Sequence, residues 1–157
     1  LSQLEVNNPE KELVSLNSII DAEIGFLSNE NKNRVVFESE DIEFLIDPND
    51  FSMMIRNLLR NACNYSELDK EINIKLFKDE SNVVLSVVDK GRGIATTDQE
   101  RIFERFYRVD KGRSRSIGGT GIGLSLVKHA VERNNGDIQL KSKLGEGTKF
   151  IVKFFKT

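Results

Sequence analysis

Two stretches near the middle of the chain, residues 71–77 (EINIKLF) and 82–89 (NVVLSVVD), alternate apolar and polar side chains across the short polar connection KDESN. A period of two marks a strand with one face buried, and two such runs joined so closely predict a β-hairpin. The pattern recurs on either side. Residues 34–39 (RVVFES) and 43–47 (EFLID) read as adjacent strands, as do 137–143 (DIQLKSK) and 148–155 (TKFIVKFF) around the turn LGEG at 144–147. Strands that arrive in neighbouring pairs, with helices between the pairs, exclude a regular βαβ winding. The expected fold is an α+β two-layer sandwich: a mixed, mainly antiparallel sheet with helices on one face.

Helical spacing fills the gaps. In residues 10–27 the apolar side chains Leu13, Leu16, Ile20, Ile24 and Leu27 recur every three or four positions, which predicts one amphipathic helix. Residues 1–9 read as a linker or the end of an upstream helix, so the domain is expected to run from 10 to 157. Asp47-Pro48 should end a strand, with Asn49 or Asp50 capping a helix over about 51–66. A short helix is expected to begin at Thr97 or Asp98, with Phe103, Phe106 and Tyr107 as its aromatic side. A last helix, 123–135, carries Leu124, Leu126, Val127, Ala130 and Val131 on its apolar spacing and should stop at Gly136.

Composition narrows the function. The 157 residues suit one domain with a full core, and 31% charged with 38% apolar residues is ordinary for a globular chain. A net charge of −2 argues against nucleic acid as the main partner. One cysteine, Cys63, excludes an internal disulfide. No apolar run reaches membrane-spanning length. The chain begins at Leu1 and is expected to be a piece of something longer, whose upstream part includes whatever anchor the full protein carries.

Four places carry chemistry. The helix over 51–66 has Ile55, Leu58, Leu59 and Ala62 on one side and Asn57, Asn61 and Asn64 nearly opposite. Asparagine is a poor helix former because its amide competes for backbone hydrogen bonds. A stripe of three is either a solvated face or a set of amides able to hold a hydrated Mg²⁺ and phosphate oxygens. Asp89 shares the inward face of its strand with Val83, Leu85 and Val87 and is followed by KGRGI. A carboxylate so directed needs donors, whether an adenine amine or the backbone of the next loop. The run KGRSRSI at 111–117 lacks an apolar period and reads as a basic loop, a lid leading into GGTGIGL at 118–124. Glycines packed before a helix suit phosphate at the helix amino end, although neither GxxxxGK[ST] nor a strand followed by GxGxxG is present.

Taken together, NLLRNACNYS (57–66), DKGRGI (89–94), FERFYRVD (103–110), GGTGIGLSLVK (118–128) and GEGTKF (145–150) resemble, in order and spacing, the asparagine, glycine and phenylalanine boxes of bacterial sensor histidine kinases. The resemblance covers about residues 10–155 and is strongest to the phosphate-sensing and cell-wall-sensing kinases of Gram-positive bacteria. It implies the ATP-binding sandwich shared with gyrase, chaperone and mismatch-repair ATPases, with ATP and Mg²⁺ as ligands. By the same resemblance Asn61 ligates Mg²⁺, Asn57 lies close to the phosphates, and Arg108 and the lid residue Lys111 meet the distal phosphates. Tyr65 lines the adenine pocket, and Asp89 accepts from the adenine amine beside Gly91 and Gly93, with Thr148 assisting through water. Gly119, Gly121 and Gly123 wrap the phosphate tail, Leu124 lies near the base, and Ile94, Tyr107 and Thr120 complete the nucleotide set. Asn57, Asn61 and Arg108 are the catalytic candidates. Asn64 departs from the family, which often has Lys or Arg there.

The implied activity is transfer of the γ-phosphate of ATP to a histidine on a separate dimerisation and phosphoacceptor domain, for relay to a response regulator. The acceptor is missing here, because the sole histidine, His129, is followed by Ala130-Val131 and reads as a surface or packing residue. Related ATPases place a Glu where this chain has Asn57, and a neutral amide is no general base, so hydrolysis should be slow. A serine kinase of the anti-sigma-factor type, or a module in which ATP only shapes the lid for a partner, are the alternatives. The fragment is expected to be monomeric, and the full protein a membrane-anchored homodimer with this domain in the cytoplasm.

Overall fold

A computed structural model of the chain describes residues 8–107 and 123–156. Chain order is β1 (Glu12–Ser15), α1 (Leu16–Gly25), α2 (Asn29–Lys32), β2 (Val35–Ser39), β3 (Glu43–Ile46), α3 (Pro48–Asn64), β4 (Ile72–Asp79), β5 (Asn82–Asp89), α4 (Thr96–Gln99), α5 (Gly123–Arg133), β6 (Gly136–Lys143) and β7 (Gly147–Phe154). Five strands form one sheet in the order β2-β4-β5-β7-β6, and β1 pairs with β3 in a separate ribbon. The β2–β4 pairing is parallel and the other three in the large sheet are antiparallel. Helices α1, α3 and α5 pack on one face, so the expected mixed two-layer sandwich is what forms. No helix among the described residues is long and apolar enough to cross a membrane.

Alternation along β5 puts Val83, Leu85 and Val87 inward with Asp89, as its period requires. They meet Ile55, Leu58, Leu59 and Ala62 of α3, each at most 2% exposed, and Val127, Ala130 and Val131 of α5. Each fully buried Val, Leu or Ile among them contributes about 1.5–3 kcal/mol. Phe154 at the end of β7 joins the layers through tilted ring contacts with Phe44 and Phe51, centroids 6.2 and 6.1 Å away.

Several local expectations are corrected. Residues 10–27 are not one helix. Ser15 accepts a hydrogen bond from the Ser18 amide and starts α1 at Leu16, while the chain before it pairs with β3 and leaves Leu13 66% exposed. The strands at 34–39 and 43–47 do not pair with each other. Ile42, 1% exposed, is drawn into the core and its carbonyl accepts from the Leu16 amide, which swings β3 away from β2. The cap of α3 is Asp47, whose carboxylate accepts from the Asn49 and Asp50 amides at 3.0 and 3.2 Å. The short helix is only α4. Beyond it Phe103 packs edge-on against Phe150 at 6.2 Å, whereas Phe106 has a φ of 66° and is 63% exposed, so the three aromatics share no side. After α5 the left-handed residue is Asn135, with φ 61°, and Gly136 opens β6.

Candidate functional site

The open ends of β5 and β7 and the facing sides of α3 and α5 meet at one edge of the domain. Two devices set that meeting. At the far end, Arg133 of α5 donates to Asp50 at 2.7 Å and approaches Asp47 to 3.6 Å, while Asn134 donates to Asp50 at 2.8 Å and accepts from the Asp47 amide at 3.1 Å. This largely buried latch ties the carboxyl end of α5 to the amino end of α3, so the helices run antiparallel. At the near end, a Cβ on Gly123 would lie 2.7 Å from the Asn57 side-chain oxygen. Gly123 therefore lets the amino end of α5, the positive end of its dipole, close on Asn57.

Asn57 and Asn61 are half-buried and Asn64 is exposed. The stripe is thus not a solvated face over its first two members. The Asn57 amide nitrogen donates to the Met53 carbonyl at 2.9 Å, which turns its oxygen toward Gly123. The Asn61 carbonyl accepts from the Tyr65 amide at 3.1 Å, closing α3. Tyr65 follows as the C-cap. The chain after β5 docks on that cap: a side chain at Gly91 would strike the Tyr65 carbonyl at 2.0 Å, and the Arg92 amide donates to the same carbonyl at 3.3 Å. At Gly93, with φ +75°, the space beside the α-carbon is taken by the Lys143 carbonyl. Both glycines are therefore demanded by the protein's own close packing.

Asp89 is 4% exposed. Its Oδ1 accepts from the Gly91 amide at 2.9 Å, so the loop-capping contact is real, and the Thr148 amide also donates to the carboxylate. Burial pushes the Asp89 carboxyl up to about 6, against the lowering effect of the two amides and of Arg34. A carboxylate under that strain gains from any further donor. Next to it Thr148, also buried, shares a 2.9 Å hydroxyl contact with Ser142, whose hydroxyl accepts from the Ile94 amide at 2.7 Å. Gln99 of α4 donates to the carbonyls of Ile94 and Ser142 at 2.7 and 3.0 Å, pinning this corner. Leu124 packs partly buried against the core.

Asn57 with Gly123, Tyr65 with Gly91, Asp89 with Gly91 and Thr148, and Ile94 with Thr148 through Ser142 are thus brought together. Tyr107 is tied to α4: its hydroxyl bonds to Asp98 and the Arg101 guanidinium lies over its ring at 4.6 Å. Arg108, Lys111, Gly119, Thr120 and Gly121 lie outside the described residues. His129 is exposed, in keeping with a surface residue. Reading the residues in order missed Arg92, whose guanidinium covers the Tyr65 ring at 4.5 Å, and the supporting Ser142 and Gln99. Asn64, Tyr65, Ser66, Glu67, Lys90, Gly91, Arg92 and Gly145 also line an open cleft of about 470 Å³. The sequence signal for it is the two basic residues, Lys90 and Arg92, inside DKGRGI.

A family model described as histidine kinase-, DNA gyrase B-, and HSP90-like ATPase matches residues 46–157. The sensor-like histidine kinase SenX3 of Mycolicibacterium smegmatis is 49% identical over 98 residues, 62% of this chain and 26% of that protein. The signal transduction histidine-protein kinase ArlS of Staphylococcus aureus is 38% identical over 116 residues, 74% of this chain and 26% of that protein. The chain therefore spans about a quarter of the length of these relatives. The catalytic domain of the histidine kinase ThkA, solved free of nucleotide, superposes with a TM-score of 0.81 over 94% of this chain and 97% of that one, at 24% identity, and so shares its fold.

Proposed function

Because the chain belongs to the histidine kinase-, DNA gyrase B- and HSP90-like ATPases, we propose that it binds Mg-ATP at the edge between α3 and α5 and donates the γ-phosphate to a histidine on a separate dimerisation and phosphoacceptor domain, for relay to a response regulator. The observation that carries this reading is the buried, desolvated Asp89 beside Tyr65, next to a helix amino end that closes on Asn57. The first is a demanding acceptor suited to an exocyclic amine, and the second is an anion site. In this reading Asp89 holds the adenine amine, Tyr65, Ile94 and Leu124 line the base, and Thr148 assists through water. Gly91 and Gly93 bring the loop to the base, and Tyr107 closes the set on the α4 side. Asn57, Asn61 and Arg108 act on the phosphates, with Lys111, Gly119, Thr120, Gly121 and Gly123 around the tail. No group of three or more His, Cys, Asp or Glu side chains that could hold a metal gathers among the described residues. A Mg²⁺ that keeps several waters and is held chiefly by phosphates needs only one amide, and Asn61 fits that role.

Phosphoryl transfer asks the protein for positioning and charge neutralisation more than for covalent chemistry. Asn57, as an amide, orients without activating water, which keeps the phosphate for a protein acceptor. The full protein is read as a homodimer anchored in the membrane, with this domain on the cytoplasmic side. The test has two steps. Calorimetric titration with a non-hydrolysable ATP analogue, with and without Mg²⁺ and against GTP, should show adenine-selective, Mg²⁺-sensitive binding. Labelled ATP should then pass its γ-phosphate to a supplied histidine-hairpin domain. Binding without transfer would leave a nucleotide-sensing module, and no binding at millimolar nucleotide would remove the site.

A further inference from the structure

Among the described residues, the buried charged side chains are Glu23, Arg34, Asp47 and Asp89. Glu23 is paired with Arg56 at 3.2 Å and Asp47 with Arg133 at 3.6 Å. Arg34 and Asp89 remain, opposite in sign and each without a direct ion pair among the described residues. They lie at the same end of the sheet. The Arg34 carbonyl accepts from the Ile72 amide at 2.9 Å, and Ile72 is the register partner of Asp89 across β4 and β5.

The Arg34 side chain, 6% exposed, donates to three neutral groups. Nε reaches the Lys70 carbonyl at 2.9 Å, Nη1 the Asn31 side-chain oxygen at 3.2 Å, and Nη2 the Ser66 hydroxyl. Ser66 in turn donates to the Ala62 carbonyl at 2.7 Å and directly follows Tyr65. One guanidinium thus joins α2, the turn after α3 and the approach to β4. Neutral acceptors alone compensate a buried cation poorly, so a nearby opposite charge is expected. The partners of Asp89 across the sheet, Ile72 and Thr148, carry none, and among the described residues Arg34 is the charge that lowers its carboxyl, after burial raises it and the two amides lower it. The same guanidinium acts on Cys63, whose thiol burial pushes up. Lys90 and Arg92 line the cleft beside Tyr65.

We propose that Arg34 is a positioning residue of the nucleotide site: its buried charge balances the Asp89 carboxylate, and its three hydrogen bonds hold the turn that carries Tyr65. The proposal rests on the reading of Asp89 and Tyr65 as nucleotide contacts. Arg34→Gln removes the charge and keeps one donor group, and Arg34→Lys keeps the charge. The direct readout is the carbon-13 titration of the Asp89 carboxyl by NMR, without nucleotide. The midpoint should rise by at least about half a unit in Arg34→Gln and stay near the parent value in Arg34→Lys. At pH 7.5 Arg34→Gln should also weaken the ATP analogue about tenfold, and add less than about twofold in an Asp89→Asn background. An unmoved midpoint, or the full tenfold loss in the Asp89→Asn background, overturns the proposal. If Arg34→Gln alone is too unstable to titrate, Asp89→Asn should stabilise the Arg34→Gln background in urea more than it stabilises the parent at the same pH, and an equal gain in the two backgrounds overturns the proposal equally. Since the titration and the urea measurement need no ligand, a parent protein that binds no nucleotide sinks the function proposed above without deciding this pair.

Discussion

Replacing Asp89 by asparagine should separate what the fold wants from what the site wants. The carboxyl titrates at about 6 in the folded chain, against an ordinary 3.8. A raised carboxyl means that the native state holds the proton more tightly than the unfolded chain does. Protonation therefore stabilises: the favourable contribution is complete below about pH 4 and is lost as pH rises through 6. At neutral pH the ionised carboxylate then costs the fold on the order of 3 kcal/mol, from about 1.4 kcal/mol per unit. Asparagine removes that cost. It keeps an oxygen for the amides of Gly91 and Thr148, but as a neutral acceptor, which gives back about 1 kcal/mol. The net expectation is a variant more stable than the parent by about 1–2 kcal/mol at pH 7.5 and no more stable at pH 4.5. Urea denaturation at the two pH values, with unchanged slopes, reads this directly. Nucleotide binding should move the other way, weakening about ten- to a hundredfold at pH 7.5 because the acceptor has lost its charge. A stability difference that is the same at both pH values would refute the reasoning, since Asp89 would then be under no desolvation strain.

Other substitutions probe the frame. Asn61→Ala should lower ATP affinity in the presence of Mg²⁺ and leave binding in metal-free buffer nearly unchanged, by calorimetry; equal losses would give Asn61 a packing role. Gly91→Ala puts a carbon 2.0 Å from the Tyr65 carbonyl, a backbone contact that cannot yield. It should cost roughly 2 kcal/mol or more and appear as a lower melting temperature. Arg133→Met leaves Asp47 and Asp50 without their cation and should cost roughly 2–4 kcal/mol by urea denaturation. A change below about 0.5 kcal/mol would demote the latch to a surface pair.

Periodic features were legible in the sequence, and partner choices were not. The inward face of β5, the apolar stripe of α3 and the span of α5 follow from spacing within one element, so Asp89 and Asn57 could be placed before any coordinates. Leu13 fits a helical period as well as Leu16 does, and only the Ser15 cap and an available edge at β3 decide between helix and strand. Nothing local says that β2 would pair in parallel with β4, since that choice depends on where Ile42 is buried. Asn135 took the left-handed position because glycine one step later was needed in β6, where a side chain would meet the Phe154 ring at 2.8 Å. Arg34 looked like the start of a strand. Its role depends on Asn31, Ser66 and Lys70 converging around it, and a one-dimensional pattern holds no record of that.

The sheet order also bears on when the site comes into being during synthesis. β4 and β5 can pair as soon as both have left the ribosome, because a hairpin closes a short loop. β7, the latest strand in the chain, is inserted between β5 and β6 and brings Thr148 to Asp89. Closing β5 against β7 spans the whole intervening segment and carries the larger entropic cost of a long loop. A nascent chain that stops short of β7 leaves Asp89 at an unpaired sheet edge, open to water. The Thr148 side of the Asp89 site is thus missing from any chain that stops short of β7.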